Sequence, residues 1–565
     1  MPIEGKTLTL DGYTLSIEEL IRAGQDMSIE VKIADDKWPK IRECRKLVEG
    51  WANEERCIYG VNTSCGGLVD HLLPKDRDND FQKNLVRSIS TQVGKPFEDS
   101  LVRTFMIARA NSLCRGYSGI KEENLKIYVE MINKQVFPVV PRKGSLGTSG
   151  DLGPLGCIAS VAFGEWKAKY KGEVLPGKEA MEAAGIALMH LNAKEGLSLI
   201  NGTSAMVGLA CTVIKEATNT LKNSDIIAAF TIENLMGRIN PFDVRVHEQK
   251  YHPGQYATAS NLTKLLTGSE LAMDELKLSL ELQSVLKKHE GITVADIPVE
   301  DAYSIRCTPQ FVGPTKEAVN NAANVLLREL NSSNDNPLIF TEYNTFIHNG
   351  HFHGQPISCA MDFLGISMVN LGVISDRRID RFLDAPHSTG LPPFLCKEDT
   401  GVRMGLMGGQ FMTTSLVAEN RTLAVPASIQ SITSTADFQD VVSFGLIAGR
   451  KARKIVENTN YILAFELLCA AQAADLRGPD KLSPSGKIMY KATRETLEYM
   501  DYDKVYMDDL EELKSRIESG EFVEKVEKYN ISLQIQKFYL NIDPHKCNLL
   551  LHHCESFEEV FLIFQ

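Results

Sequence analysis

Residues 443–475 read SFGLIAGRKARKIVENTNYILAFELLCAAQAAD, a stretch without a proline. Leu446, Ile455, Ile462, Leu467 and Ala471 recur at helical spacing with little polar face between them. That pattern predicts one long helix, buried in a bundle or between subunits. Upstream, Val319, Ala322, Ala323, Leu326, Leu327 and Leu330 fall at i, i+3, i+4, i+7, i+8 and i+11, which predicts a helix over 314–330 ended by the polar run 331–337. Ser16-Ile17-Glu18-Glu19 has the form of a capping box, with Gly24 as the stop of a short helix. Alternating patterns are short and few, so the expected fold class is mainly α, a large helical bundle. No repeat at solenoid periods and no low-complexity segment appears.

A chain of 565 residues exceeds one small core. Its formal charge of −12 gives no basic footprint, which argues against nucleic acid or an anionic membrane as a partner. The twelve cysteines include no Cys-x-x-Cys pair, so neither a zinc ribbon nor a redox dithiol is indicated, and a reducing cytoplasm is the expected setting. The N-terminus lacks the apolar core of a signal peptide, and no apolar run is expected to reach the roughly 18 residues of a membrane span.

The segment with the most chemistry is Gly144-Ser145-Leu146-Gly147-Thr148-Ser149-Gly150-Asp151-Leu152-Gly153-Pro154-Leu155. Read alone, it is a glycine-rich loop entering a helix, with an anion site as a further option. It also permits ring closure: the Gly150 nitrogen can attack the Thr148 carbonyl, and loss of water, including that from Ser149, leaves a backbone electrophile. Glycine tolerates the close approach. This segment is similar to the prosthetic-group loop of the aromatic amino acid ammonia-lyases and 2,3-aminomutases, in which Ala-Ser-Gly or Thr-Ser-Gly becomes 4-methylidene-imidazol-5-one (MIO).

Other segments resemble the same family, over about residues 50–480. Tyr59 in Ile58-Tyr59-Gly60-Val61 matches the catalytic acid/base, although by itself it reads as a core tyrosine. With an ordinary pKa near 10 it needs activation to act as a base. In Asp301-Ala302-Tyr303-Ser304-Ile305-Arg306, the resemblance makes Arg306 the clamp for the substrate carboxylate and Tyr303 a second tyrosine near the ring. Many relatives have Gln three positions before that tyrosine, whereas this chain has Glu300. Asn201 in Leu199-Ile200-Asn201-Gly202 resembles the asparagine that bonds the ring carbonyl. Asn336 and Glu466 match further site positions, and a glutamate in so apolar a helix is costly to bury unless paired or functional. Gln439 and Gln472 are weaker matches.

His348-Asn349-Gly350-His351-Phe352-His353 has the spacing of some metal sites but no carboxylate at a convincing offset. The resemblance makes it a pocket-lining loop, with His351 facing the site and no metal. No phosphate-binding glycine motif lies in a strand-to-helix context.

The resemblance further implies a fold of the phenylalanine/histidine ammonia-lyase type, elongated and helical, with an N-terminal α/loop region carrying the MIO. It implies a homotetramer with active sites shared among chains. The expected division is 1–200 as the MIO-bearing domain, 201–480 as the long-helix bundle, 481–540 as a C-terminal helical segment and 541–565 as a tail. Tyrosine- and histidine-selective relatives commonly carry a Ser-His pair where this chain has Ser88-Ile89. Ile89 cannot hydrogen-bond a phenol or imidazole, and an unpaired buried polar group costs about 1–3 kcal/mol, which favours phenylalanine. The expected activity is a phenylalanine 2,3-aminomutase forming β-phenylalanine through cinnamate. The alternatives are a phenylalanine ammonia-lyase, a tyrosine-acting mutase or lyase, and a non-catalytic helical scaffold.

Overall fold

The computed structural model describes residues 5–288, 291–295, 297–529 and 531–535, with twenty α-helices and nine short strands among them. The fold is mainly α, as the helical periodicity implies. The expected tail, 541–565, lies outside the described residues.

Five long helices form the bundle: α1 (Ser204–Asn234), α2 (Thr308–Leu330), α3 (Gln355–Leu383), α4 (Met407–Leu423) and α5 (Gly445–Arg477). α5 matches the expected long helix and packs along α1, α3 and α4. Its contact with α3 has a seven-residue register. Gly365 and Gly372 on α3 lie against Ile455 and Ile462 on α5, and a Cβ on either glycine would come within 3.3 and 3.2 Å of an isoleucine Cδ1. Small residues facing branched ones at that interval let the two helices run side by side.

α2 begins six residues before the expected start and carries Pro314 inside it. A proline there removes one helical N–H, but burial of Val312 and of Gly313, which abuts Gln255 of the helix Pro253–Leu266, holds the turn together. The Ser16 capping box forms as expected: Ser16 Oγ accepts the Glu19 N–H, and the Glu19 carboxylate accepts the Ser16 N–H at 2.9 Å. The helix it starts ends at Gln25, one residue past Gly24.

α3 corrects one expectation. An 18-residue window in it has a mean hydropathy of 1.7, long and apolar enough for a membrane span by composition, yet 67% of that window is buried inside the protein. It is a core helix whose apolar faces are covered by α2 and α5.

The residues before α1 form shorter helices and small sheets. Thr7–Leu10 pairs in parallel with Glu30–Ile33, and Val93–Pro96 pairs antiparallel with Pro141–Lys143, which leads into the Gly144 loop. None of the ten described cysteines is in a disulfide.

Candidate active site

The Thr148-Ser149-Gly150 loop is clamped between the starts of α1 and α5. Ser443 Oγ donates to the Gly147 carbonyl at 3.1 Å, and the Phe444 N–H donates to the Leu146 carbonyl at 3.2 Å. On the other side the Asp151 N–H donates to the Gly202 carbonyl at 2.7 Å, and Gly150 and Gly202 pair as an isolated parallel bridge. Gly150 has φ +70°, and a Cβ there would overlap the Gly202 carbonyl, so the position requires glycine on both counts.

The Ser149 carbonyl faces two donors, the Gly202 N–H at 3.2 Å and Asn201 Nδ2 at 3.5 Å. Gln439 Nε2 donates to Ser149 Oγ at 3.3 Å. Asn201 Oδ1 is buried with no hydrogen-bond partner among the described residues. Donors aimed at one carbonyl stabilise charge that grows on it, and an orphaned buried acceptor beside them leaves room for a further donor. These residues fit an electrophilic ring made from residues 148–150.

Asp151 follows directly. Its carboxyl is fully buried, Oδ2 accepts the Met206 N–H at 2.7 Å, and burial pushes its pKa up to about 7. It thereby caps the N-terminus of α1 from a distant part of the chain.

Tyr59 reaches the same neighbourhood through its loop. Gly60 lies against Leu197, four residues before Asn201, and Gly66 lies against Thr435, whose Oγ1 donates to Gln439 Oε1 at 2.8 Å. The Tyr59 hydroxyl accepts the Gly66 N–H at 3.0 Å. Burial, with Cys65 adding to it, holds the hydroxyl pKa above its ordinary value, so within one chain Tyr59 keeps its proton. Its own N–H donates to His348 Nε2 at 3.2 Å. His348 is therefore engaged with Tyr59, and burial lowers its pKa.

Ile89 ends the helix Asp78–Ile89 and touches Gly156 of the helix Leu152–Ala162, the one that Asp151 introduces. Asn336 and His351 are joined through one residue: Asn336 Oδ1 accepts the Asn349 N–H at 2.8 Å, and Asn349 Oδ1 accepts the His351 N–H at 2.8 Å. Beneath Gly202 lies Asn334, which accepts from Arg109 Nη1 at 3.0 Å and donates to Thr203 Oγ1 at 3.0 Å. Sequence reasoning passed over Asn334 and His348, which sit two and three residues from Asn336 and His351 in the same segments, and ranked Gln439 low.

Glu466, expected among the site residues, lies among partners of its own chain. It is fully buried in α5, where Arg378 Nε and Nη2 donate to its two oxygens at 2.5 and 2.9 Å, Thr231 Oγ1 at 2.8 Å and Ser375 Oγ at 2.5 Å. Four donors from its own chain meet the carboxylate, and with Arg378 it closes an ion pair in the bundle interior. Gln472 likewise bonds the Met500 backbone, donating to its carbonyl at 2.9 Å.

Tyr303 and Arg306 lie at the opposite end of α1. Ile305 between them packs by Gly237, just past the end of that helix, together with Ile232 of its last turn, whereas Ser149 sits at its first turn. A helix rise of 1.5 Å per residue puts about 40 Å between the two groups. One chain does not bring them together. Arg306 Nε donates to the Asp301 carbonyl at 2.9 Å, Nη2 pairs with Glu300 at 2.8 Å, and the guanidinium lies 4.9 Å from the Tyr303 ring centre.

Residues 15–495 match the family model described as aromatic amino acid lyase. The histidine ammonia-lyase of Alkaliphilus oremlandii (strain OhILAs) is 41% identical over 523 residues, 93% of this chain and 99% of that protein. The solved structure of Pantoea agglomerans phenylalanine aminomutase is 44% identical with a TM-score of 0.87, covering 91% of this chain and 98% of that one. Tyrosine aminomutase from Streptomyces globisporus superposes with a TM-score of 0.90 at 38% identity, covering 94% and 100%.

Proposed function

The chain belongs to the aromatic amino acid lyase family, and from that premise we propose that it is a phenylalanine 2,3-aminomutase converting L-phenylalanine to β-phenylalanine through cinnamate. The observation that carries the reading is the Ser149 carbonyl held by Gly202 and Asn201, with Ile89 packed by Gly156 on the helix that Asp151 introduces. Cyclised Thr148-Ser149-Gly150, as MIO, supplies an electrophilic carbon for the substrate's amine. No metal is involved in this reading.

The other roles fall to side chains. Asn201 and the Gly202 N–H hold the carbonyl of residue 149, and Gln439 holds the Ser149 hydroxyl that cyclisation removes. Tyr59 takes the proton at the substrate's β-carbon; burial raises its pKa within one chain, so it acts as a base only after giving up its own proton at the completed site. Arg306 takes the substrate carboxylate, its fork matching two oxygens, while Tyr303 lies beside it. Ile89 meets the aromatic ring, and Asn336 and His351 line the entry.

Arg306 and Ser149 of one chain are about 40 Å apart, which supports reading the complete site as one shared between chains, in the homotetramer that the resemblance implies. Phe363 and Ile366 on α3 and Phe411 on α4 remain 58%, 41% and 70% exposed, an apolar surface suited to such an assembly.

A second reading, histidine ammonia-lyase, is favoured by the 41% identical relative. Ile89 opposes it, because an imidazole would find no partner there. The test is turnover of L-phenylalanine, L-tyrosine and L-histidine by the wild type and by Ile89→His, with products separated by chiral chromatography. β-Phenylalanine from the wild type, and a preference shifted at least about fivefold toward tyrosine or histidine in the variant, support the proposal. Cinnamate alone identifies a phenylalanine ammonia-lyase, and turnover of histidine in preference to phenylalanine overturns the substrate reading.

A further inference from the structure

We propose that Glu300 is an internal carboxylate that occupies Arg306 until the substrate displaces it, and so sets how readily the amino acid enters and the unsaturated acid leaves. This rests on the reading of Arg306 as the substrate-carboxylate seat.

Two acids adjoin this arginine in sequence, and the structure treats them differently. Asp301 is committed elsewhere: its carboxylate takes the Arg238 backbone N–H at 2.7 Å and pairs with the Arg238 guanidinium, both side chains nearly buried. Its main-chain carbonyl accepts the Arg306 Nε–H at 2.9 Å. Glu300 is left to the guanidinium, at 2.8 Å from Nη2, with a side chain 58% exposed against 30% for Arg306. It precedes the helical turn Tyr303–Arg306 and lies in no helix or strand itself.

The arginine is thus fixed and its partner is free to swing. Nε is tied to the Asp301 carbonyl and the guanidinium plane rests beside the Tyr303 ring. A guanidinium offers a carboxylate its best geometry as a two-bond fork. Two carboxylates converging on it repel one another, so an incoming substrate carboxylate exchanges with Glu300 instead of adding to it. Glu300 holds the arginine through Nη2 alone, whereas a substrate carboxylate can take both arms of the fork, which makes the exchange a tuning device and not a block. Interactions lost equally from ground state and transition state appear in KM. The same exchange run backwards helps cinnamate depart before nitrogen is added again, so Glu300 also tilts the product ratio toward the free acid.

The test is steady-state kinetics on the full-length wild type, Glu300→Gln and Glu300→Ala with L-phenylalanine, alongside the ratio of β-phenylalanine to cinnamate and the Tm of each protein. Expected is a KM lower by roughly two- to fivefold in both variants, the change falling on KM and not on kcat, with a higher proportion of β-phenylalanine. A purely structural role would instead lower Tm and kcat together. An unchanged or raised KM overturns the inference while leaving the activity in place. Absence of turnover of any aromatic amino acid by the wild type removes the functional reading, and this inference with it. Glu300→Gln keeps the size of the side chain, so it carries the test should Glu300→Ala fold poorly.

Discussion

The Asp151 carboxyl lies at the junction of the Ser149 loop and the first turn of α1, fully buried, with a pKa pushed up to about 7 from an ordinary 3.8. Between those values the unfolded chain has released its proton while the folded chain retains it. The native state then binds more protons, so stability contributed at this residue falls as pH rises from about 4 to about 7 and levels off above. Asp151→Asn keeps an acceptor for the Met206 N–H and removes the titration. Its urea midpoint is expected to change less between pH 5 and pH 8 than that of the wild type; equal slopes would show that Asp151 is not the group responsible. At this scale the motif around residue 149 was legible because glycine, serine and aspartate carry their conformational and chemical demands locally. The Gln439–Ser149 and His348–Tyr59 contacts join residues 290 and 289 positions apart, and no local pattern encodes such a pairing.

Among elements, α5 and most of α2 were readable from apolar spacing alone, since burial on a helix repeats at 3.6 residues whatever the partner. Glu466 shows where that reading stops. A glutamate in an apolar helix signals an obligatory partner, but the sequence does not say whether that partner is a substrate or Arg378, 88 residues away. The structure gives Arg378, with α1 adding Thr231. Glu466→Gln would leave the Arg378 guanidinium buried without its counter-charge, a change that costs about 3–5 kcal/mol. A large drop in Tm and urea midpoint is expected, with KM for amino acid little altered in the protein that remains folded. A variant of normal stability and raised KM would return Glu466 to the substrate. Pro314 illustrates the opposite limit, where tertiary packing carries a helix through a residue that local propensity would use to begin it.

For the whole molecule, α1 acts as a spacer with the Ser149 loop at one end and the Tyr303–Arg306 turn at the other. The sequence held both motifs but not their separation, which follows only once residues 204–234 are seen to be one continuous helix. A reacting centre that needs both ends must draw them from different chains. Co-expression of Ser149→Ala with Arg306→Met, each inactive alone, tests this most directly. Random assembly of the two chains leaves about a quarter of the shared sites with both an intact Ser149 and an intact Arg306. The account predicts recovery of about that fraction of wild-type aromatic amino acid turnover in the mixed oligomer, and no recovery at all would contradict it.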